Sequence, residues 1–234
     1  MLIIYSFKDS FFERRLLIPE ANKLYKETLM NTKDNTVQNE NYAKELHKIL
    51  KSNEQLYNVI EKAEGLLNMP YYIGAGCITQ SVWNYQNGNE PMYGIEDLDF
   101  VYFDKKDTTY EGENNIIEQI KERIGDQNIR IDIKNQARVH LWYQQHFGYA
   151  VEPYKSLEEA IDTWPTTVSA VGVRLESGML KIYAPFGLGD MFAQVVIANK
   201  TRITREIYEN KSRKWARKWN TLKIMPWDYE AKIR

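Results

Sequence analysis

The stretch "YYIGAGCITQSVWNYQNG", Tyr71 to Gly88, followed by "IEDLDFVYF", Ile95 to Phe103, decides the fold. "YYIGAG" reads as a short strand entering a glycine turn, "CITQSVWNYQNG" as a helix ending at Gly88, and "LDFVYF" as a second strand. Asp is depleted in strands, yet Asp97 and Asp99 open this one. Alternate strand residues share a face, so the two carboxylates stand side by side. At ~6 Å and an effective dielectric of about 20 they repel by roughly 3 kcal/mol, a cost that bound divalent cations reverse. Two readings are open at this point. On an edge strand the acids are solvated surface charges, the commoner fate of an Asp. Phe100, Val101 and Phe103 argue instead for a central strand, where the acids need a metal.

Working outward, "NNIIEQIKERIG" is an amphipathic helix closed by Gly125, and "IRIDIKN" is a strand alternating Ile129, Ile131 and Ile133 with polar residues. Upstream, Leu46, Leu50, Leu56, Ile60 and Ala63 give the apolar stripe of a helix from about Tyr42 to Leu67. This alternation predicts an α/β (α+β) fold, a small mixed sheet flanked by helices. Downstream lie a helix at "SLEEAIDTW", a hairpin "AVGVRLESGMLKIYAP" turning at Ser177 and Gly178, and a helix after Leu188. Residues 1–41 stand apart. Apolar residues at helical spacing from Ser10 to about Met30, interrupted at Pro19, predict a helical extension, and "NTKDNTVQNEN" reads as a polar linker. The expected organisation is an extension and linker at 1–41 and an α/β domain at 42–234.

Lys and Arg number 31 against 32 Asp and Glu, a net charge of -1, so the chain as a whole carries no footprint for nucleic acid or an anionic membrane. The charge is unevenly placed: residues 199–227 hold nine Lys or Arg against two Glu. That polarity suits a triphosphate or an RNA backbone. Trp215 and Trp219 share a helix face there, as stacking surfaces or, more commonly, as core, with the surrounding cations as a solvated face. The one cysteine, Cys77, excludes an intrachain disulfide and a cysteine-based zinc cluster. The apolar run in "MLIIYSFKDSFFERRLL" is too short for a signal-peptide core, and no segment approaches a membrane span. A cytoplasmic protein without membrane contact is expected.

Asp132 lies on the polar face of "IRIDIKN". Three carboxylates on neighbouring strands suit two metals about 3.5 to 4 Å apart, the arrangement for in-line displacement at phosphorus. The alternative is that Asp132 faces solvent beside Arg130 and Lys134. "IGAGC" sits between a strand and a helix, so its N–H groups and the helix N-terminus can receive phosphate oxygens, with Gly74 and Gly76 permitting close approach. "NQARVH" supplies Asn135 or Gln136 for a base or ribose and Arg138 for phosphate, or else these residues cap the next helix and tie it to the sheet. His140 reads as packed or surface, Asp190 as a helix cap, and Arg174 as a possible phosphate ligand.

"IGAGCITQSVW" and "DLDFVYFD" resemble the nucleotidyltransferase superfamily that includes DNA polymerase beta, poly(A) polymerases and CCA-adding enzymes. With "NQARVH", "TWPTTVSAVGVRL" and "APFGLGDMF", the chain from about Tyr42 onward is similar to a bacterial nucleotidyltransferase-like family. The resemblance implies the nucleotidyltransferase fold, Mg²⁺ or Mn²⁺ held by Asp97, Asp99 and Asp132, and an NTP bound at Gly74, Gly76, Cys77 and Gln80 with Asn135, Gln136 and Arg138. The implied reaction transfers an NMP to a hydroxyl on tRNA, a protein or a small molecule; a nucleotide-binding module without catalysis and a tRNA-modifying toxin are the alternatives. Two departures stand out. The interval from Gly76 to Asp97 is longer than usual, and Thr79-Gln80 replaces an Arg-Asn pair.

Overall fold

The computed structural model describes residues 38–229. The chain divides into two compact units, residues 1–40 and 41–234, and the second is described here by itself. The predicted helical extension and most of the linker lie outside the described residues.

Where one helix is expected from Tyr42 to Leu67 there are two, α1 over residues 41–52 and α2 over Glu54–Ala63. Asn53 divides them. Its backbone leaves helical geometry (φ −94°, ψ 78°), and its side-chain oxygen accepts from the Leu56 N–H, capping α2. Its amide donates to Ser81 Oγ at 3.1 Å and to the Pro91 carbonyl at 3.0 Å. An Asn whose polar groups find better partners outside the helix ends one helix and starts another.

Strands β1 (Tyr71–Gly74), β2 (Asp97–Tyr102), β3 (Arg130–Asn135), β4 (Gly172–Glu176) and β5 (Met179–Tyr183) form one sheet in the order β3-β2-β1-β4-β5. β2 and β3 are parallel, joined through α4 (Tyr110–Ile124), and the other pairings are antiparallel. The β4–β5 turn has positive φ at both Ser177 (53°) and Gly178 (71°), the twist a two-residue hairpin needs. Because side chains alternate, Leu98, Phe100 and Tyr102 of β2 join Ile73 and Ile133 in the main core. α3 (Gly76–Asn87) contributes Ile78, Val82 and Trp83 to it, and α2 contributes Leu56, Val59 and Ile60. Asp97, Asp99 and Val101 face the other way, over a surface covered only in part, where α6 (Leu157–Asp162) lays Leu157 and Ile161 on Tyr72 and Val101.

α5 (Val139–Phe147) follows β3 through a single 3-10 turn, Gln136–Arg138. The helix expected after Leu188 is only the four-residue α7 (Gly189–Phe192), and the long one comes later as α8 (Arg205–Lys218), capped by Thr204. A two-stranded parallel sheet, β6 (Val195–Val196) with β7 (Lys223–Ile224), closes the fold. Trp215 and Trp219 are core, 4% and 1% exposed, packed edge-on against Trp83. Among the described residues no helix is long and apolar enough to cross a membrane.

Candidate active site

The strand bearing the acids is internal, with β1 on one side and β3 on the other. The edge-strand reading of Asp97 and Asp99 therefore falls. In the pairing register Gly74 stands opposite Asp99, and Asp99 opposite Asp132. The glycine turn and the acids of two strands thus form one row across the sheet, on the face turned from the main core. Despite the long interval before Asp97, the chain returns to register because the Asn84 amide holds the connecting loop through the Pro91 and Tyr93 carbonyls.

The three carboxylates differ in their surroundings. Asp97 Oδ2 accepts from the Arg130 guanidinium at 2.5 Å, and Asp132 Oδ1 lies 3.1 Å from Lys134 Nζ. Both pairs are substantially exposed. Asp99 is the most enclosed of the three. Burial, eased by Lys211 and reinforced by Asp97 and Asp132, pushes its carboxyl up to about 6. Among the described residues no three His, Cys, Asp or Glu side chains converge on one point as metal ligands, since Asp97 and Asp132 lean to their cations. The donor set nonetheless fits a hard divalent ion: carboxylate oxygens in a row, one of them where bare charge is disfavoured.

At the end of β1 the backbone turns sharply. Ala75 takes φ 59° and ψ −132°, a region natural only to glycine. α2, α4, α6 and α8 are capped by the side chains of Asn53, Thr109, Ser156 and Thr204. α3 begins after Ala75, which has no such oxygen, so no side chain caps its first turn and that turn's N–H groups suit an anion. Cys77 is buried and donates its thiol to the Gly74 carbonyl at 3.0 Å. Burial, with Asp99 nearby, raises that thiol well above its usual range, so Cys77 packs the turn and is no nucleophile.

A family model described as nucleotidyltransferase matches residues 65–224. The chain belongs to this nucleotidyltransferase family. An NMR structure described as a CCA-adding enzyme head domain is 21% identical, covers 78% of this chain and 95% of its own, and superposes with a TM-score of 0.62. That likeness is one of fold. A second solved structure, a tRNA-processing enzyme in an apo form, is 17% identical over 71% of this chain and 44% of its own, with a TM-score of 0.41. Among curated proteins none matches.

Other residues singled out from the nucleotidyltransferase sequence have different placements. Thr79 is fully buried, and its hydroxyl donates to the Val168 carbonyl at 2.7 Å. The Gln80 amide nitrogen folds over the turn, 2.7 Å from where a Cβ on Gly76 would stand. Asn135, Gln136 and Arg138 are buried at the opposite end of β3 from Asp132. Asn135 bonds Asp104 and the Ala137 N–H, and Arg138 pairs with Glu113, which also accepts from the Asn135 N–H. These residues tie the strand to its loop, as the capping alternative for "NQARVH" has it. Arg174 lies over the Tyr72 ring at 4.8 Å, and Asp190 accepts from the Thr167 hydroxyl at 3.2 Å.

Lys211 was invisible as a site residue. Its ammonium sits 4.8 Å from the Trp215 ring centroid, and Asp99 and Asp97 are the acids whose charge it feels. Burial lowers its pKa against their attraction. The signal is its position: Tyr208, Ser212, Trp215 and Trp219 mark the buried stripe of this C-terminal segment, and Lys211 lies beside it. Two further cations of α8, Lys214 and Lys218, clasp Glu96 at 2.6 and 2.8 Å and hold that carboxyl down to about 2. They are thus not the free solvated face expected, and Glu96 anchors the helix that presents Lys211.

Proposed function

We infer that this nucleotidyltransferase moves an NMP from an NTP to a hydroxyl acceptor. The observation that carries the reading is the row of Gly74, Asp99 and Asp132, which sets an uncapped helix N-terminus beside three carboxylates. The β- and γ-phosphates rest on the first turn of α3, where Gly74 and Gly76 let them approach the backbone. Asp97, Asp99 and Asp132 would hold Mg²⁺ or Mn²⁺. Such ions neutralise phosphate charge and lower the pKa of a coordinated hydroxyl. Asp132, over the strand farthest from the turn, takes the acceptor's proton. The acceptor oxygen bonds to the α-phosphorus from that side as the bond to the β-phosphate oxygen breaks, so pyrophosphate leaves toward α3. Lys211 offers its positive charge near the same acids. A protein using NTP with one buried free thiol suits the reducing cytoplasm.

Replacing Asp97 and Asp99 by Ala and measuring metal-dependent pyrophosphate release tests the reading; unchanged release would sink it. Incubation with labelled NTPs and cell extract then sorts the acceptor among tRNA, protein and small molecules by where the label lands.

A second reading, nucleotide binding without turnover, draws on Thr79 and Gln80, which are engaged with the Val168 carbonyl and the Gly76 turn. Calorimetric NTP binding with no turnover on any acceptor would favour it.

A further inference from the structure

Trp164, inside "TWPTTVSAVGVRL", has no part in the row of acids, yet it stands against it. A Cβ on Gly74 would lie 3.0 Å from the Cη2 and Cζ3 carbons of the Trp164 indole. Only glycine lets the ring settle on β1 at that point. Gly74 is the residue opposite Asp99, so the indole lies beside Asp99 on the acid face. The neighbouring Gly172 is just as crowded, with Ile161 Cδ1 3.1 Å and Tyr72 Cβ 2.7 Å from where its Cβ would be.

The ring is half-buried, and its backbone is held firmly. The Trp164 N–H donates to the Ile161 carbonyl at 3.0 Å. Buried Asn199 donates its amide hydrogens to the Asp162 carbonyl at 2.6 Å and the Trp164 carbonyl at 2.8 Å, and its N–H to the Pro165 carbonyl at 3.0 Å. A flat aromatic surface, fixed in advance and partly open beside a charged centre, suits a planar ligand.

We propose that Trp164 is the stacking platform for the base of the incoming nucleoside triphosphate, and that the base is selected by stacking and not by hydrogen bonds to its edge. This rests on the nucleotidyl-transfer reading. The side of the sheet decides which substrate meets the ring. Asp132 and Trp164 stand about one strand spacing, ~5 Å, to either side of Asp99. An acceptor activated at Asp132 occupies the β3 side, which leaves the β1 side, adjoining the phosphate turn, to the nucleoside. The candidates for edge reading, Asn135 and Arg138, are engaged with Asp104 and Glu113 at the other end of β3. Stacking tolerates every base and favours the larger purines.

The test is calorimetric binding of ATP, CTP and inorganic tripolyphosphate to the full chain with Ca²⁺, for the wild type, Trp164→Phe and Trp164→Ala. Expected are ATP binding weakened about 10-fold or more in Trp164→Ala, largely kept in Trp164→Phe, and tripolyphosphate binding equal in all three. Tripolyphosphate also reports that the variant is folded around its phosphate turn. Loss of ATP and tripolyphosphate together, or ATP binding untouched by Trp164→Ala, overturns the platform while nucleotidyl transfer stands. A wild type that binds neither ligand overturns both.

Discussion

The two ends of the β2–β3 pair carry the same kinds of residue with opposite results. At the far end Glu113, Arg138 and Asn135 close on one another: the ion pair is only 11% and 12% exposed, and Asn135 is bonded on both sides of its amide. At the near end Asp97 and Asp132 share mobile, exposed cations, and Asp99 is enclosed beside two like charges. Charge whose partners are complete braces a fold, whereas charge left incomplete is available to a ligand.

This contrast can be broken from either end. The largest effect expected is on activity: Asp99→Asn should lower nucleotidyl transfer at least about 10³-fold, about 4 kcal/mol, in a pyrophosphate-release assay. Second, Arg138→Ala leaves Glu113 buried without its partner and should destabilise the protein by about 3 kcal/mol in denaturant unfolding, a loss with no counterpart at the acid end.

Third, with metal chelated, Asp99→Asn should make the protein more stable. The folded carboxyl titrates near 6, the unfolded one near 4, so the folded state keeps a proton that the unfolded state releases. Wild-type stability therefore falls as pH rises from about 4 to about 6 and stays low above. Asn removes that cost, a gain of about 2 kcal/mol at pH 8 and almost none at pH 4, read from melting curves at both. A variant less stable at pH 8 would erase the distinction between the two ends.

Smaller effects sharpen the borders of the site. Ala75→Gly relieves the positive φ of the phosphate turn and should stabilise by about 1 kcal/mol in thermal melts. Glu96→Gln loosens the clasp on α8, whose members are mostly more than half exposed, and should cost only about 0.5 kcal/mol, vanishing near 1 M salt.

Much of this was legible because it depends on local pattern. The period of two in "LDFVYF" and "IRIDI" assigns each side chain a face, and Ser177-Gly178 names its own turn. Partners brought by folding are another matter. Asn53 sits in an unbroken helical pattern, and only Ser81 and Pro91, arriving from elsewhere, make breaking the helix worthwhile. "NQARVH" shows an amide pair and a cation but not Glu113, which turns a plausible phosphate ligand into a brace. Lys211 is one cation among nine in its segment, and its nearness to Asp99 follows from the Trp packing that fixes α8.

The register of β3 against β2 also acts as a proofreader. Ile131 and Ile133 pair with Leu98 and Phe100 toward the core, while Asp132 pairs with Asp99 toward the site. A slip of one residue would drive Asp132 among the buried side chains and bring an isoleucine to the row of acids. Such a chain would lose its chemistry and its stability in the same step, so a misassembled copy is marked for clearance by its instability before it can accumulate as an inert competitor for substrate.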